Sequence, residues 1–256
     1  MYNFPRNNNP YGGNPYGRNP YGRGNNAFGS RYQYETLAPA YQGSQTSGLI
    51  GKVMGLLAFS FIFASIGALV GTQFVTGIGT YWVVAIAGLV VLIALNLLIQ
   101  RSPINLILLY LFTFLEGMAL GPIISIYTQS VALTQILGEA FVITALTSLA
   151  LALYSWTTKR DFTRLGDYLF FGVILLLVAG IVGIFFHSTL FALVISVIGI
   201  AIFSGYVLFY VQRAKYMADT LPNAIGLTVS LFITVLNLFL YILQLLTILQ
   251  GGDRRR

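Results

Sequence analysis

The sequence predicts an all-α integral membrane protein, a bundle of seven transmembrane helices. Two observations predict it. The chain of 256 residues is 57% hydrophobic and 8% charged, with mean hydropathy +0.79. A soluble domain carries about 25% charged residues, because its surface must be solvated. From Leu49 onward, moreover, the chain is apolar with sparse interruptions. The stretches between them approach the roughly 20 residues with which a helix crosses about 30 Å of hydrocarbon. A soluble enzyme is excluded on the first count. The lack of cysteine excludes a disulfide framework, a thiolate metal site and a cysteine nucleophile, and the lone His187 excludes a multi-histidine site within one chain.

Residues 1–48 read as a disordered, cytoplasmic tail. Asn, Gly, Pro and Tyr fill 28 of these 48 positions, partly as three near-repeats, Asn9-Pro10-Tyr11-Gly12, Asn14-Pro15-Tyr16-Gly17 and Asn19-Pro20-Tyr21-Gly22. Pro and Gly at this density oppose a helix, and too few aliphatic residues are present to form a core. No apolar run follows Arg6, so the segment does not read as a signal peptide. A solvated tail is the plain expectation; a tyrosine-rich docking segment is the sharper one.

The membrane domain is expected over 49–252, with a basic terminus at 253–256. Residues 53–100 hold no charge, and glycines and polar residues between Gly71 and Thr80 divide them into spans of about 50–72 and 80–100. Spans three and four are expected at about 104–127 and 131–156, before a charged loop from Lys159 to Asp167. Spans five, six and seven follow at about 167–186, 189–212 and 221–249. Gly51–Gly55, Gly67–Gly71 and Gly117–Gly121 are small-residue pairs that let backbones approach, read as packing within the bundle. Pro122 is expected to kink the third helix. Trp82 and Trp156 near helix ends read as interfacial anchors.

Eleven basic residues fall on one side of this arrangement: Arg6, Arg18, Arg23, Arg31, Lys52, Arg101, Lys159, Arg160, Arg164, Arg213 and Lys215. The opposite loops hold none. The positive-inside rule therefore places the N-terminus in the cytoplasm. Seven crossings then leave Arg254-Arg255-Arg256 outside, against the rule, unless the last helix re-enters; a single tilted crossing is the simpler expectation.

Intramembrane charge is costly and marks function by default. Two acids lie well inside predicted spans. Glu116 falls near the midplane of the third and Glu139 nearer the outer end of the fourth. Both are candidates for an ion or proton pathway. Arg101 is a candidate gate residue or a topology charge. His187, in an outer loop, is a candidate pH sensor. The lysines all sit at the cytoplasmic face, which excludes a retinal Schiff base. No catalytic constellation is visible, and no enzyme, cofactor or metal is expected. The basic excess follows topology and lacks an aromatic platform, so nucleic acid is not an expected partner.

Three segments carry a resemblance. They are Phe112-Thr-Phe-Leu-Glu-Gly-Met-Ala-Leu-Gly-Pro122, Tyr154-Ser-Trp-Thr-Thr-Lys-Arg-Asp161 continuing to Gly172, and Ser196-Val-Ile-Gly-Ile-Ala-Ile-Phe-Ser-Gly-Tyr206 leading into Gln212-Arg213. With Leu236-Asn237-Leu238-Phe239 and Leu243-Gln244-Leu245-Leu246, they resemble the Bax inhibitor-1 family, in particular its bacterial YccA-like branch, across about 49–252. The resemblance implies a seven-helix bundle with a central C-terminal helix and, in some members, a pH-sensitive calcium leak. In bacteria it implies a membrane protease (FtsH-like) as partner, and an inner-membrane location. In eukaryotes it implies suppression of cell death. The leak is attributed to two aspartates, in patterns like Tyr-Asp-Thr-Gln and Leu-Tyr-Leu-Asp-x-x-Asn-Leu-Phe. Here Tyr210 and Thr234 occupy those positions. Paired carboxylates can share a proton and offer hard oxygens to calcium; tyrosine and threonine do neither at neutral pH. The expected functions are therefore a cation leak lined by Glu116 and Glu139, with calcium as permeant ion, or a non-transporting interaction protein acting on membrane proteolysis or stress responses. A Tyr210–Thr234 hydrogen bond would join the same two helices without titrating.

Overall fold

The computed structural model describes residues 42–185 and 188–253. The tail before Gln42, His187 and the terminal arginines lie outside the described residues. Within them run seven helices, α1 (Gln42–Phe74), α2 (Ile78–Leu97), α3 (Ile104–Tyr127), α4 (Val131–Thr157), α5 (Leu165–Phe185), α6 (Thr189–Ala214) and α7 (Leu221–Asp253). Each is long and apolar enough to cross a membrane, and a helix is the form that satisfies every backbone group within one segment in hydrocarbon.

The boundaries follow local chemistry. Ser130 and Ser188 accept hydrogen bonds from the amides of Leu133 (3.2 Å) and Phe191 (3.3 Å), capping α4 and α6. The polar stretch before Leu49 extends α1 beyond the predicted span, because helix formation does not stop where the hydrocarbon does. Pro122 lies inside α3, and the helix runs on past it to Tyr127. Trp82 and Trp156 sit near helix ends with half-exposed rings, 57% and 39%.

The last helix is the centre of the bundle. It packs against α1, α3, α4 and α6, whereas α2 rests on α3 and α5 on α6 at the outside. Ala224, Ile225, Thr228, Phe232 and Leu238 of α7 are fully buried. Towards α4, α5 and α6, its Leu238, Phe239, Ile242 and Leu243 meet Ile136, Leu137, Ala140, Leu176 and Phe203. At the other end, Ala224, Leu227 and Leu231 meet Leu49 and Val53 of α1. The outward faces carry large apolar side chains such as Leu69, Phe171 and Leu175, the surface lipid requires.

Lipid is as apolar as leucine, so close packing has to hold these helices together. The tightest contact joins α1 to α3 through four glycines. A Cβ added at Gly67 would overlap the Phe114 carbonyl, and one at Gly71 the Met118 carbonyl. One at Gly117 would overlap the Ala64 carbonyl, and one at Gly121 the backbone of Gly71. The predicted pairs Gly67–Gly71 and Gly117–Gly121 thus pack on each other within the chain. Gly51 and Gly55 do not: an added Cβ there meets nothing within 4 Å, because that face of α1 has no helix against it.

The predicted basic residues of the described loops gather at one end of the bundle. There Lys52 Nζ of α1 pairs with Asp219 Oδ1 ahead of α7 at 3.0 Å. The pair is part exposed, 49% and 21%, so a double-mutant cycle of Lys52→Ala and Asp219→Ala should give a coupling below about 1 kcal/mol. A larger value would mean that the bridge is shielded. From this end α7 runs to the opposite one. There the hydroxyls of Tyr127 and Thr247 share a 2.6 Å hydrogen bond, and Gln250 Nε2 donates to Glu139 Oε2 at 2.6 Å. This is the course of one crossing, not of a re-entrant hairpin.

Candidate functional site

Glu116 is the thirteenth residue of the 24 in α3, about 18 Å along the helix axis. Its carboxylate points out of the α1–α3 glycine contact towards α2. Gly88 lies opposite, with Glu116 Oε1 at 3.5 Å from the position of a Cβ built there. A Cβ at Gly88 would be in ordinary van der Waals contact with the carboxylate. The side chain is half-buried. Among the described residues no hydrogen bond or ion pair to it is found, so its charge has no fixed counter-ion.

Glu139 lies elsewhere. It is exposed near the start of α4, where it accepts the hydrogen bond from Gln250 of α7. The two acids engage different helix pairs, α2–α3 and α4–α7, and do not form one site. Arg101 is exposed in the turn between α2 and α3, at the basic end, and contacts neither acid. Among the described residues no three His, Cys, Asp or Glu side chains come together.

The positions of the two aspartates fall on the α6–α7 seam. The side chain of Tyr210 of α6 lies beside that of Ser230 on α7, whose hydroxyl donates to the Gly226 carbonyl at 3.0 Å. Thr234, buried, donates to the carbonyl of that same Ser230 at 2.7 Å. The expected Tyr210–Thr234 bond is therefore absent; both residues reach Ser230 instead, because the threonine hydroxyl is satisfied one turn back along its own helix. The seam is filled further by rings. Tyr210 stacks on Tyr206 at 5.5 Å, Tyr206 packs beside Phe203 at 6.1 Å, and Phe203 stacks on Tyr241 of α7 at 5.7 Å.

Below the seam lies an arrangement that sequence reasoning missed. Gln212, 3% exposed, reaches from α6 into the α4–α5 loop. Its Nε2 donates to the Arg160 carbonyl at 2.5 Å, and its Oε1 accepts the Phe162 amide. Lys215, just past α6, donates from Nζ to the Ser155 carbonyl at 2.7 Å and lies 5.3 Å from the Trp156 ring centre. It thus supplies a cation to the otherwise open carbonyls at the end of α4. Burial draws the Lys215 ammonium below the usual lysine range. The Asp161 carboxyl is also held low, by hydrogen bonds from the Thr163 hydroxyl (2.7 Å) and amide (2.9 Å). The signal in the sequence was polar: Gln212 ends an apolar run at a depth where an amide needs partners.

The profile of the family described as "Inhibitor of apoptosis-promoting Bax1" matches residues 46–251, nearly the whole bundle. The chain belongs to the Bax inhibitor-1 family. Relatives of this family span bacteria, a virus and an animal. An "Uncharacterized membrane protein" of Vibrio cholerae is 30% identical, over 82% of this chain and 93% of its own length. "Protein lifeguard 4" of Mus musculus is 32% identical, over 64% of this chain and 66% of its own. A "Golgi anti-apoptotic protein" of vaccinia virus is 29% identical, over 77% and 84%. This Bax inhibitor-1 family protein is a multi-pass integral membrane protein, and its spans imply a lipid bilayer as its surroundings.

Proposed function

We propose that this protein provides a slow cation leak across a bacterial inner membrane, with the basic end of the bundle in the cytoplasm. Glu116 is the carboxylate a permeating cation meets half-way. The observation that carries this reading is Glu116 itself, a mid-helix acid facing Gly88 with no fixed counter-ion among the described residues. A carboxylate in that setting is costly unless a cation visits it. Calcium suits it as a hard cation with oxygen ligands. One carboxylate is a transit point rather than a storage site, and sensitivity to pH enters when a proton competes for it. Glu139, hydrogen-bonded by Gln250 at the opposite end, is the group a cation would meet near that mouth.

The test is calcium flux into proteoliposomes at pH 6 and pH 8, with wild type beside Glu116→Gln. Wild-type flux should exceed that of empty liposomes, and the variant should lose at least about tenfold, the loss of roughly 1.4 kcal/mol of cation interaction. Flux no greater than in empty liposomes at both pH values would sink the leak.

A second reading is favoured by the α6–α7 seam. With Tyr210, Ser230 and stacked rings in place of paired acids, that seam supports a protein that binds partners rather than conducts, consistent with the names of the anti-apoptotic relatives. On this reading it modulates a membrane protease or a stress response. Co-purification of a protease that is lost when residues 1–40 are deleted would favour it.

A further inference from the structure

We infer that the loop between α4 and α5 is a seat for the headgroup of an anionic glycerophospholipid. Lys159, Arg160 and Arg164 are all exposed on this loop, with Asp161 among them and Asp167 exposed in the first turn of α5, a local net charge of +1 from three cations and two anions. Asp161 is turned back onto Thr163 through both its hydroxyl and its amide, with Arg164 near enough to attract it, which leaves Lys159 and Arg160 to face the surroundings. The loop is also held in place. Gln212 takes the Arg160 carbonyl and the Phe162 amide, and the Phe162 ring rests 6.2 Å from that of Tyr154. A pre-ordered basic loop binds a phosphate with less ordering cost than a flexible one, and arginine adds forked donors suited to phosphate oxygens.

Depth is set by aromatic rings. Tyr154, Trp156 and Tyr168 flank the loop with 44%, 39% and 77% of their surface exposed, and such rings settle at the headgroup level. The loop is too short to leave that plane, which favours a lipid over a soluble anion. Space for the acyl chains follows from the packing. Both α4 and α5 lie against α6, and the extensive helix contacts do not include one between α4 and α5 themselves. Phe171 and Leu175 of α5 present apolar surface to the chains, 64% and 68% exposed. The α2–α3 turn, with Arg101 as its one cation, lacks this concentration of charge.

The full-length protein, purified in detergent and incubated with phosphatidylglycerol or phosphatidylethanolamine, can be examined by native mass spectrometry. Phosphatidylglycerol should be retained preferentially. The triple variant Lys159→Gln, Arg160→Gln, Arg164→Gln should bind it about a hundredfold more weakly, each cation near a membrane contributing a factor of about five. Should the triple variant fail to fold, Arg160→Gln and Arg164→Gln alone should each lose about fivefold. Inorganic phosphate at matched ionic strength should leave the lipid bound. Equal retention of the two lipids by the wild type, undiminished retention by the variants, or displacement by phosphate would each overturn the proposal.

Discussion

Gly117→Leu should unfold the bundle at temperatures the native protein withstands. The Cβ alone would overlap the Ala64 carbonyl of α1, and backbone cannot rotate aside as a side chain can. The α1–α3 pair must then separate, along the most extensive contact between any two helices of the bundle. Overpacking against a flexible side chain costs typically 1–3 kcal/mol, and a backbone clash falls at or beyond the upper end, about 3 kcal/mol or more. For a chain of this size that corresponds to a fall in Tm of about 6–12 °C. Gly71→Leu, facing the Met118 carbonyl, should behave alike. Gly55→Leu is the control. Its added Cβ meets nothing within 4 Å, and a surface change of that kind shifts stability by less than about 0.5 kcal/mol. Thermal unfolding in detergent would check all three, and equal Tm values for Gly55→Leu and Gly117→Leu would contradict the glycine contact.

Gln212→Leu should loosen the α4–α5 loop without unfolding the helices. The substitution keeps the volume but removes both the donor to the Arg160 carbonyl and the acceptor of the Phe162 amide. Two backbone groups then lose their partners, at about 1–3 kcal/mol in all. Trypsin reads this directly, because Lys159, Arg160 and Arg164 are its targets within the loop. When opening is fast, cleavage follows the open population, so the initial rate should rise roughly five- to hundredfold. Gln212→Glu keeps the acceptor and loses the donor, and should fall between. An unchanged rate in Gln212→Leu would show that the loop is held by other means.

Much of the fold could be read from the sequence because hydrocarbon imposes a length. A helix that must cross about 30 Å declares itself by some 20 apolar residues in a row, and α3 and α4 begin where the sequence placed them. Pairing between helices was far less legible. In a soluble helix the polar face shows which side is out, whereas here lipid-facing Leu175 and core-facing Leu176 are the same residue type. Gly67, Gly71, Gly117 and Gly121 revealed close contacts but not that they contact each other. For the same reason the depth of Glu116 was readable and its neighbour Gly88 was not. Nor could sequence tell that Glu139 meets Gln250, 111 positions away. Tyr210 and Thr234 were legible as departures from a pattern; their common neighbour, Ser230, required the structure.

The position of α7 bears on how the protein is made. A ribosome delivers this helix after the other six, yet it is the element on which α1, α3, α4 and α6 converge. Until it enters the bilayer, α1, α2 and α3 form one group through the glycine contact, and α4, α5 and α6 form another, with little between the two. Two-stage assembly, in which individual spans insert first and associate afterwards, would leave α7 as the element that joins these groups. A chain ending before Leu221 would therefore keep two groups of helices with little contact between them. The contacts that tie the two groups into one bundle thus run chiefly through α7.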